Sequence, residues 1–295
     1  MIKKQLSIEE IKQEGWEDVY VLGYSKVHII QNIYDKNKKN IMLIHTPVTS
    51  IKNCFECYEQ LRRLYLFNVF VMDYVPGEGE CSGQTKEFTL ENMVANLNAV
   101  YQYIAENYSN EIHLVGYTGA GAIIAQYYVR LNPAFKSFSQ FACGIYGKTT
   151  PLGVPTFMAK LVLAISRWIV NRKPDFTIVF NPPKAKGYHA ELDNEFYEIM
   201  RSFRDADFFN LKLNSLVQIL EIMIGKESNL KKEIICPTLV FKTLHDRYFS
   251  KEYFDEYYYA LTCEKKLVEI NDTHNSYFIN PEPFMVEIAK WVDNH

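Results

Sequence analysis

Short apolar runs alternate with longer stretches of helical period along most of the chain. Residues 18–23 and 26–33 mix apolar and polar positions as half-buried strands do, and they lie close enough together to be antiparallel neighbours. The runs Ile41-Met42-Leu43-Ile44 and Val69-Phe70-Val71-Met72 are continuously apolar, which suits strands covered on both faces. Residues 112–115 and 138–145 read as two more strands. Helical stretches separate them at 53–66, 89–107 and 122–129; Thr89 is placed to cap the second, with Glu91 in its first turn. Strand and helix alternate in this way where helices flank a mostly parallel sheet.

From 151 to 232 the pattern changes. Strand signals fade, and helical runs at 156–171 and 210–225 enclose an irregular stretch. The alternation then resumes with a strand at 238–241, a helix at 250–261, a strand at 266–270 and a last helix at 283–293. The expected organisation is one α/β core built from 1–150 and 233–295, with 151–232 inserted above it as a helical cap.

Composition narrows the function classes. Hydrophobic residues make up 48% of 295, enough for a sizeable core, and the formal net charge is −3. That charge offers no basic field for nucleic acid and no polybasic membrane patch. No apolar run of signal-peptide length stands at residues 1–10. The longest apolar stretch, 157–170, is broken by Lys160 and Arg167 and falls short of the roughly 20 residues a spanning helix needs. A cytoplasmic protein without stable membrane insertion is expected. Cys54 and Cys57 form a C-x-x-C without a second pair at zinc spacing, so neither metal nor redox chemistry is assigned to them. No P-loop lysine accompanies the glycine-rich turn at 116–121, and no cofactor is called for.

The chemistry concentrates at three strand ends. The strand at 112–115 runs straight into Gly116-Tyr117-Thr118-Gly119-Ala120-Gly121 and then into a helix. A tight turn of small residues there pushes one side chain out over the sheet edge, and the helix start aims N–H groups at a developing negative charge. Asp246 stands just past the strand at 238–241, and His274 just past the last strand. Nucleophile, acid and histidine at three strand ends, in this order, resemble the α/β-hydrolase family, whose elbow motif is G-x-S-x-G.

The resemblance implies a mostly parallel eight-stranded sheet with a helical cap between strands six and seven. The cap is somewhat similar to those of monoglyceride-lipase-like and aminopeptidase-like members. It also implies a triad of Thr118, Asp246 and His274, with Asp272 as the fallback acid. Gly119 matches the residue that gives one oxyanion N–H, while Ala120 replaces the second motif glycine. The stretch Asp73 to Ser82 is similar to the family's structural D-x-x-G-x-G-x-S loop. Ile44-His45-Thr46-Pro47 resembles the turn that supplies the second oxyanion donor, but Pro47 has no N–H to give. Val48, or the hydroxyl of Thr46 or Thr49, is the expected substitute.

Two functions fit these features. One is an acyl-transfer enzyme (esterase, thioesterase or acyltransferase) acting on a small-molecule or carrier-bound acyl substrate. The other is a hydrolase fold turned to a binding, scaffold or non-covalent role, suggested by Thr118 and Pro47. A third reading makes Cys143 or Cys81 the nucleophile. Tyr117, Trp168, Phe208 and Phe209 are the expected pocket residues, joined from the cap by Phe157, Leu161, Ile165 and Tyr188. The alternative is that these rings pack the cap onto the sheet.

Overall fold

The computed structural model describes residues 5–47, 49–117, 119–132, 134–141, 155–179, 181, 184–203, 210–224 and 232–295. After a short capped helix, α1 (Ile8–Gln13), come the antiparallel pair β1 (Glu17–Leu22) and β2 (Lys26–Asn32). The chain then alternates: β3 (Asn40–Ile44), α2 (Ile51–Tyr65), β4 (Asn68–Asp73), α3 (Leu90–Asn107), β5 (Ile112–Gly116), α4 (Gly119–Leu131) and β6 (Ser137–Gln140). An inserted segment carries α5 (Thr156–Arg172), β7 (Thr177–Val179), α6 (Ala190–Ser202), β8 (Asn210–Lys212) and α7 (Leu213–Ile224). The sheet resumes with β9 (Thr238–His245), α8 (Lys251–Ala260), β10 (Lys265–Thr273), α9 (Ser276–Ile279) and α10 (Glu282–Asn294).

Eight strands form one sheet in the order β1-β2-β4-β3-β5-β6-β9-β10. β2 is antiparallel to β1 and β4, and every other pairing is parallel. The burial pattern reflects position. β3, β4 and β5 are buried at every residue because helices cover both faces. The edge strands β1 and β10 keep an exposed alternation, and β10 places Lys266 and Glu269 on it, charges that discourage edge-to-edge pairing.

Two glycines hold α4 against the sheet. A Cβ on Gly116 would stand 2.7 Å from the Ala125 Cβ and 2.9 Å from the Ala122 Cα. One on Gly121 would stand 2.7 Å from the Ile44 carbonyl oxygen and 2.9 Å from the His45 carbonyl carbon. The glycine that the close approach demands is therefore Gly121, and Ala120 sits beside it as a half-buried residue.

The inserted segment departs from the sequence expectation in three ways. The stretch read as irregular contains α6, whose stripe Asp193, Phe196, Tyr197 and Met200 faces inward; the acidic residues around it disguised the helical period. The run read as one helix from 210 begins as β8, which pairs with β7. Third, α5 buries Ala159, Leu163 and Ser166, and Leu163 packs with Leu213 and Val217 of α7. β6 ends at Gln140, short of the expected 145, and residues 142–145 lie outside the described ones. Among the described residues no helix is long and apolar enough to cross a membrane.

Candidate active site

β9 and β10 are parallel neighbours, and His245 and Thr273, their last residues, are partners in register. The next residue of each chain segment is Asp246 and His274, so the pairing alone brings them side by side at the sheet's carboxyl edge. A bulge sets the aim. Thr243 faces Ile270 and His245 faces Thr273, so Asn271 and Asp272 together oppose the single Leu244. One extra residue bends β10 and redirects the loop that carries His274.

The Asp246 side chain is fully enclosed and accepts four hydrogen bonds. Its Oδ1 receives the N–H groups of Tyr248 (2.7 Å) and Phe249 (2.8 Å). Its Oδ2 receives the Thr243 hydroxyl at 2.8 Å and His274 Nδ1 at 2.7 Å. Burial alone would raise this carboxyl's pKa. The His274 charge and hydrogen bond, with the two backbone N–H groups, outweigh burial and hold it below the usual carboxylate range. An ionised carboxylate only accepts, so His274 Nδ1 carries the proton and Nε2 keeps its lone pair in the neutral ring.

That nitrogen faces the start of α4. A Cβ on Gly119 would lie 3.5 Å from both Nε2 and Cε1 of His274, and 3.5 Å from the Phe249 ring. The imidazole is held by rings around it: Phe249 stacks at 5.7 Å, and Tyr248 and Tyr277 meet it edge-on at 4.8 and 5.6 Å. Thr118, between Tyr117 and Gly119, lies outside the described residues, as do Val48, Phe208, Phe209 and Cys143. Asp272, the fallback acid, belongs to the bulge. Its Oδ1 accepts the Thr273 N–H at 2.7 Å and lies 3.1 Å from His189 Nδ1, so it serves that histidine and not His274.

The oxyanion side is built by α4 and by the turn after β3. α4 starts at Gly119, earlier than the period suggested, and the first N–H groups of a helix have no intrahelical acceptor. Thr46 is buried, and its N stands 3.1 Å from where a Gly121 Cβ would be. Its carbonyl is taken up by His45 Nδ1 (2.7 Å) and by the Thr49 N–H (3.2 Å) and hydroxyl (3.3 Å). The Thr49 hydroxyl thus bonds within the turn. Asp73, at the end of β4, steadies the same turn. It lies 3.4 Å from His45 Nε2 and 3.3 Å from His28 Nδ1, and it accepts the N–H groups of Ile51 and Glu80. Burial works against its ionisation, but the two histidines prevail and hold it far below the ordinary range.

Several expected site residues lie elsewhere. Tyr117 is wholly buried; its hydroxyl donates to the Tyr277 carbonyl at 2.8 Å, and its ring meets Tyr58, Phe141, Tyr277 and Phe278 edge-on. It is core, because the residue before the elbow points back into the sheet's packing. Trp168 is 57% exposed and stacks under Arg172 instead of facing the site. Phe157, Leu161 and Ile165 are exposed too, since α5 packs by the stripe Ala159, Leu163 and Ser166. Cys81 is buried beside Asn96, and burial pushes its thiol up to about 12, which removes it as a nucleophile. Among the described residues no three His, Cys, Asp or Glu side chains are grouped to hold a metal.

Asp193 of α6 escaped the sequence reading. It reaches both loops of the pair, bonding Thr273, Asn275 and Arg247. Its signal was present: a charged residue at the helical spacing of Phe196, Tyr197 and Met200, on what should be an apolar stripe.

No family model and no curated protein matches the chain by sequence. Solved structures do resemble it. DcsB in complex with a substrate analogue is 14% identical, with a TM-score of 0.71 over 95% of this chain and 98% of that one. An esterase from Exiguobacterium antarcticum is 14% identical, with a TM-score of 0.65 over 94% and 100%. The thioesterase domain of a curacin biosynthetic pathway is 14% identical, with a TM-score of 0.66 over 95% and 99%. At such identities the likeness is one of fold.

Proposed function

We propose that this chain, which has the α/β-hydrolase fold, is an acyl-transfer enzyme acting on an ester or thioester. The observation that carries the reading is the Asp246–His274 pair, bonded at 2.7 Å, with the unprotonated nitrogen facing the start of α4. An orienting carboxylate, a basic nitrogen and a helix N-terminus converging on one turn are what acyl transfer needs. The esterase and thioesterase among the similar structures suggest the substrate class.

In this reading the Thr118 hydroxyl attacks the acyl carbonyl while His274 Nε2 takes its proton. N–H groups at the start of α4 stabilise the oxyanion. Collapse breaks the bond to the leaving alcohol or thiol, which receives that proton from His274. Water, or an acceptor alcohol or amine, then gives its proton to His274 and attacks the acyl-threonine; the bond to the threonine oxygen breaks, and that oxygen takes the proton back from His274. Asp246 keeps the imidazole in one tautomer and offsets its charge in between.

A second reading, a fold without the covalent step, is favoured by Thr118 standing for serine and Pro47 standing where an N–H donor is expected. Hydrolysis of p-nitrophenyl butyrate and an N-acetylcysteamine thioester separates the two. Thr118→Ala is expected to lower kcat/KM by at least about 100-fold, and Thr118→Ser to retain or raise it. Unchanged activity in Thr118→Ala, with no labelling of Thr118 by a fluorophosphonate, sinks the covalent mechanism.

A further inference from the structure

Asp193 is an enclosed carboxylate on an inserted helix, far in sequence from any residue it binds. Its Oδ1 accepts the Thr273 hydroxyl at 2.9 Å and the Asn275 amide at 3.0 Å. Its Oδ2 pairs with the Arg247 guanidinium, which also donates to the Tyr188 carbonyl at 2.7 Å. Thr273 and Asn275 are the residues on either side of His274, and Arg247 directly succeeds Asp246. One carboxylate therefore ties the acid loop to the histidine loop from above the sheet.

A second contact from the same helix repeats the pattern. Tyr197, one turn along, hydrogen-bonds Tyr248 through their hydroxyls and accepts from the Asn275 amide at 3.1 Å. Tyr248 in turn gives its N–H to Asp246 and its ring edge to His274. Phe196 stacks on Phe278 at 5.0 Å, fixing the helix over α9. Nothing in β9 or β10 needs such a clamp to form strands. The clamp acts just beyond the strand ends, where two loops hold a 2.7 Å bond.

We infer that Asp193 is a positioning residue that sets the Asp246–His274 geometry, so that the pair is in register only while α6 is seated on it. The inference rests on the reading of that pair as catalytic. A buried, fully bonded carboxylate can impose this because each lost partner leaves an unsatisfied group, which keeps the cluster in one arrangement. The reach is short, and catalytic groups displaced by about 1 Å can lose about 100-fold in rate.

The test uses the full-length protein with Asp193→Asn, which keeps the shape and removes the charge, and Thr273→Val, which deletes one donor at the same volume. Proton NMR tracks the low-field resonance of His274 Nδ1–H, assigned by its disappearance in His274→Gln. Steady-state kinetics use p-nitrophenyl butyrate. The expected result is an upfield-shifted or exchange-broadened resonance in both variants, with kcat down about 10- to 100-fold and KM within about twofold. In an Asp246→Asn background, Asp193→Asn should cost little more, because both act through one bond. A folded Asp193→Asn with an unchanged resonance overturns the inference, and so does a loss carried by KM alone. Should no variant of the pair affect ester hydrolysis, the functional reading fails, and the resonance alone still decides the role of Asp193.

Discussion

At the scale of single residues, two carboxylates near His274 have opposite standing. Asp246 spends all its acceptor capacity on the histidine and the loop behind it, while Asp272 is turned to His189 by the bulge. Asp246→Asn would leave His274 without an obligate acceptor and free its tautomer. It is expected to lower kcat by about 10,000-fold on p-nitrophenyl butyrate. Asp272→Asn should leave kcat within about threefold, since its bonds never reach the imidazole. Equal losses in the two variants, measured side by side, would undo this assignment of the acid.

Secondary-structure elements carry the next set of consequences. α4 approaches β3 through Gly121 and β5 through Gly116, with backbone atoms at under 3 Å from any added methyl. Gly121→Ala must move the turn after β3, which cannot yield as a flexible side chain would. A loss of about 1–3 kcal/mol is expected from overpacking, read by urea denaturation. In the inserted segment, α5 offers a contrast between two leucines two positions apart. Leu163 is packed on α7 and Leu161 is 60% exposed. Leu163→Ala should cost about 2 kcal/mol or more, and Leu161→Ala no more than about 0.5 kcal/mol. The reverse order would mean that α5 packs by the face carrying Leu161.

For the whole molecule, stability should depend on pH from both sides. Asp246 and Asp73 are depressed, so their contribution is complete above the unfolded carboxylate pKa of about 4 and fades as pH falls through their folded values. His28 behaves oppositely. Burial works to lower its pKa, but Asp73 at 3.3 Å and Asp18 at 2.5 Å overcome that and raise it. Its contribution is complete below about 6.5 and is lost as pH rises through the folded value. Thermal melts across pH 3–9 should therefore show an acid decline and a shallower alkaline one, and His28→Gln should flatten the second and, because His28 also holds Asp73 low, weaken part of the first. An alkaline decline that survives His28→Gln would assign it to other groups.

The sequence by itself determined the sheet and the order of chemistry along it. Continuous apolar runs such as 41–44 and 69–72 are readable because strands covered on both faces need apolar residues at every position. The placement of Asp246 and His274 past two strands was legible from the order of the apolar runs, although β9 and β10 continue to His245 and Thr273, beyond the expected 241 and 270. What the tertiary structure alone decided lies in contacts with no local signature. The bulge that turns Asp272 away is a property of pairing between two strands. Which stripe of α5 is buried depends on what α7 offers it, so Trp168 read as a pocket residue and stands in the open. The bonds from Asp193 reach 54 residues along the chain to Arg247 and 80 and 82 to Thr273 and Asn275, and only the helix carrying it, folded back over the sheet, could reveal them.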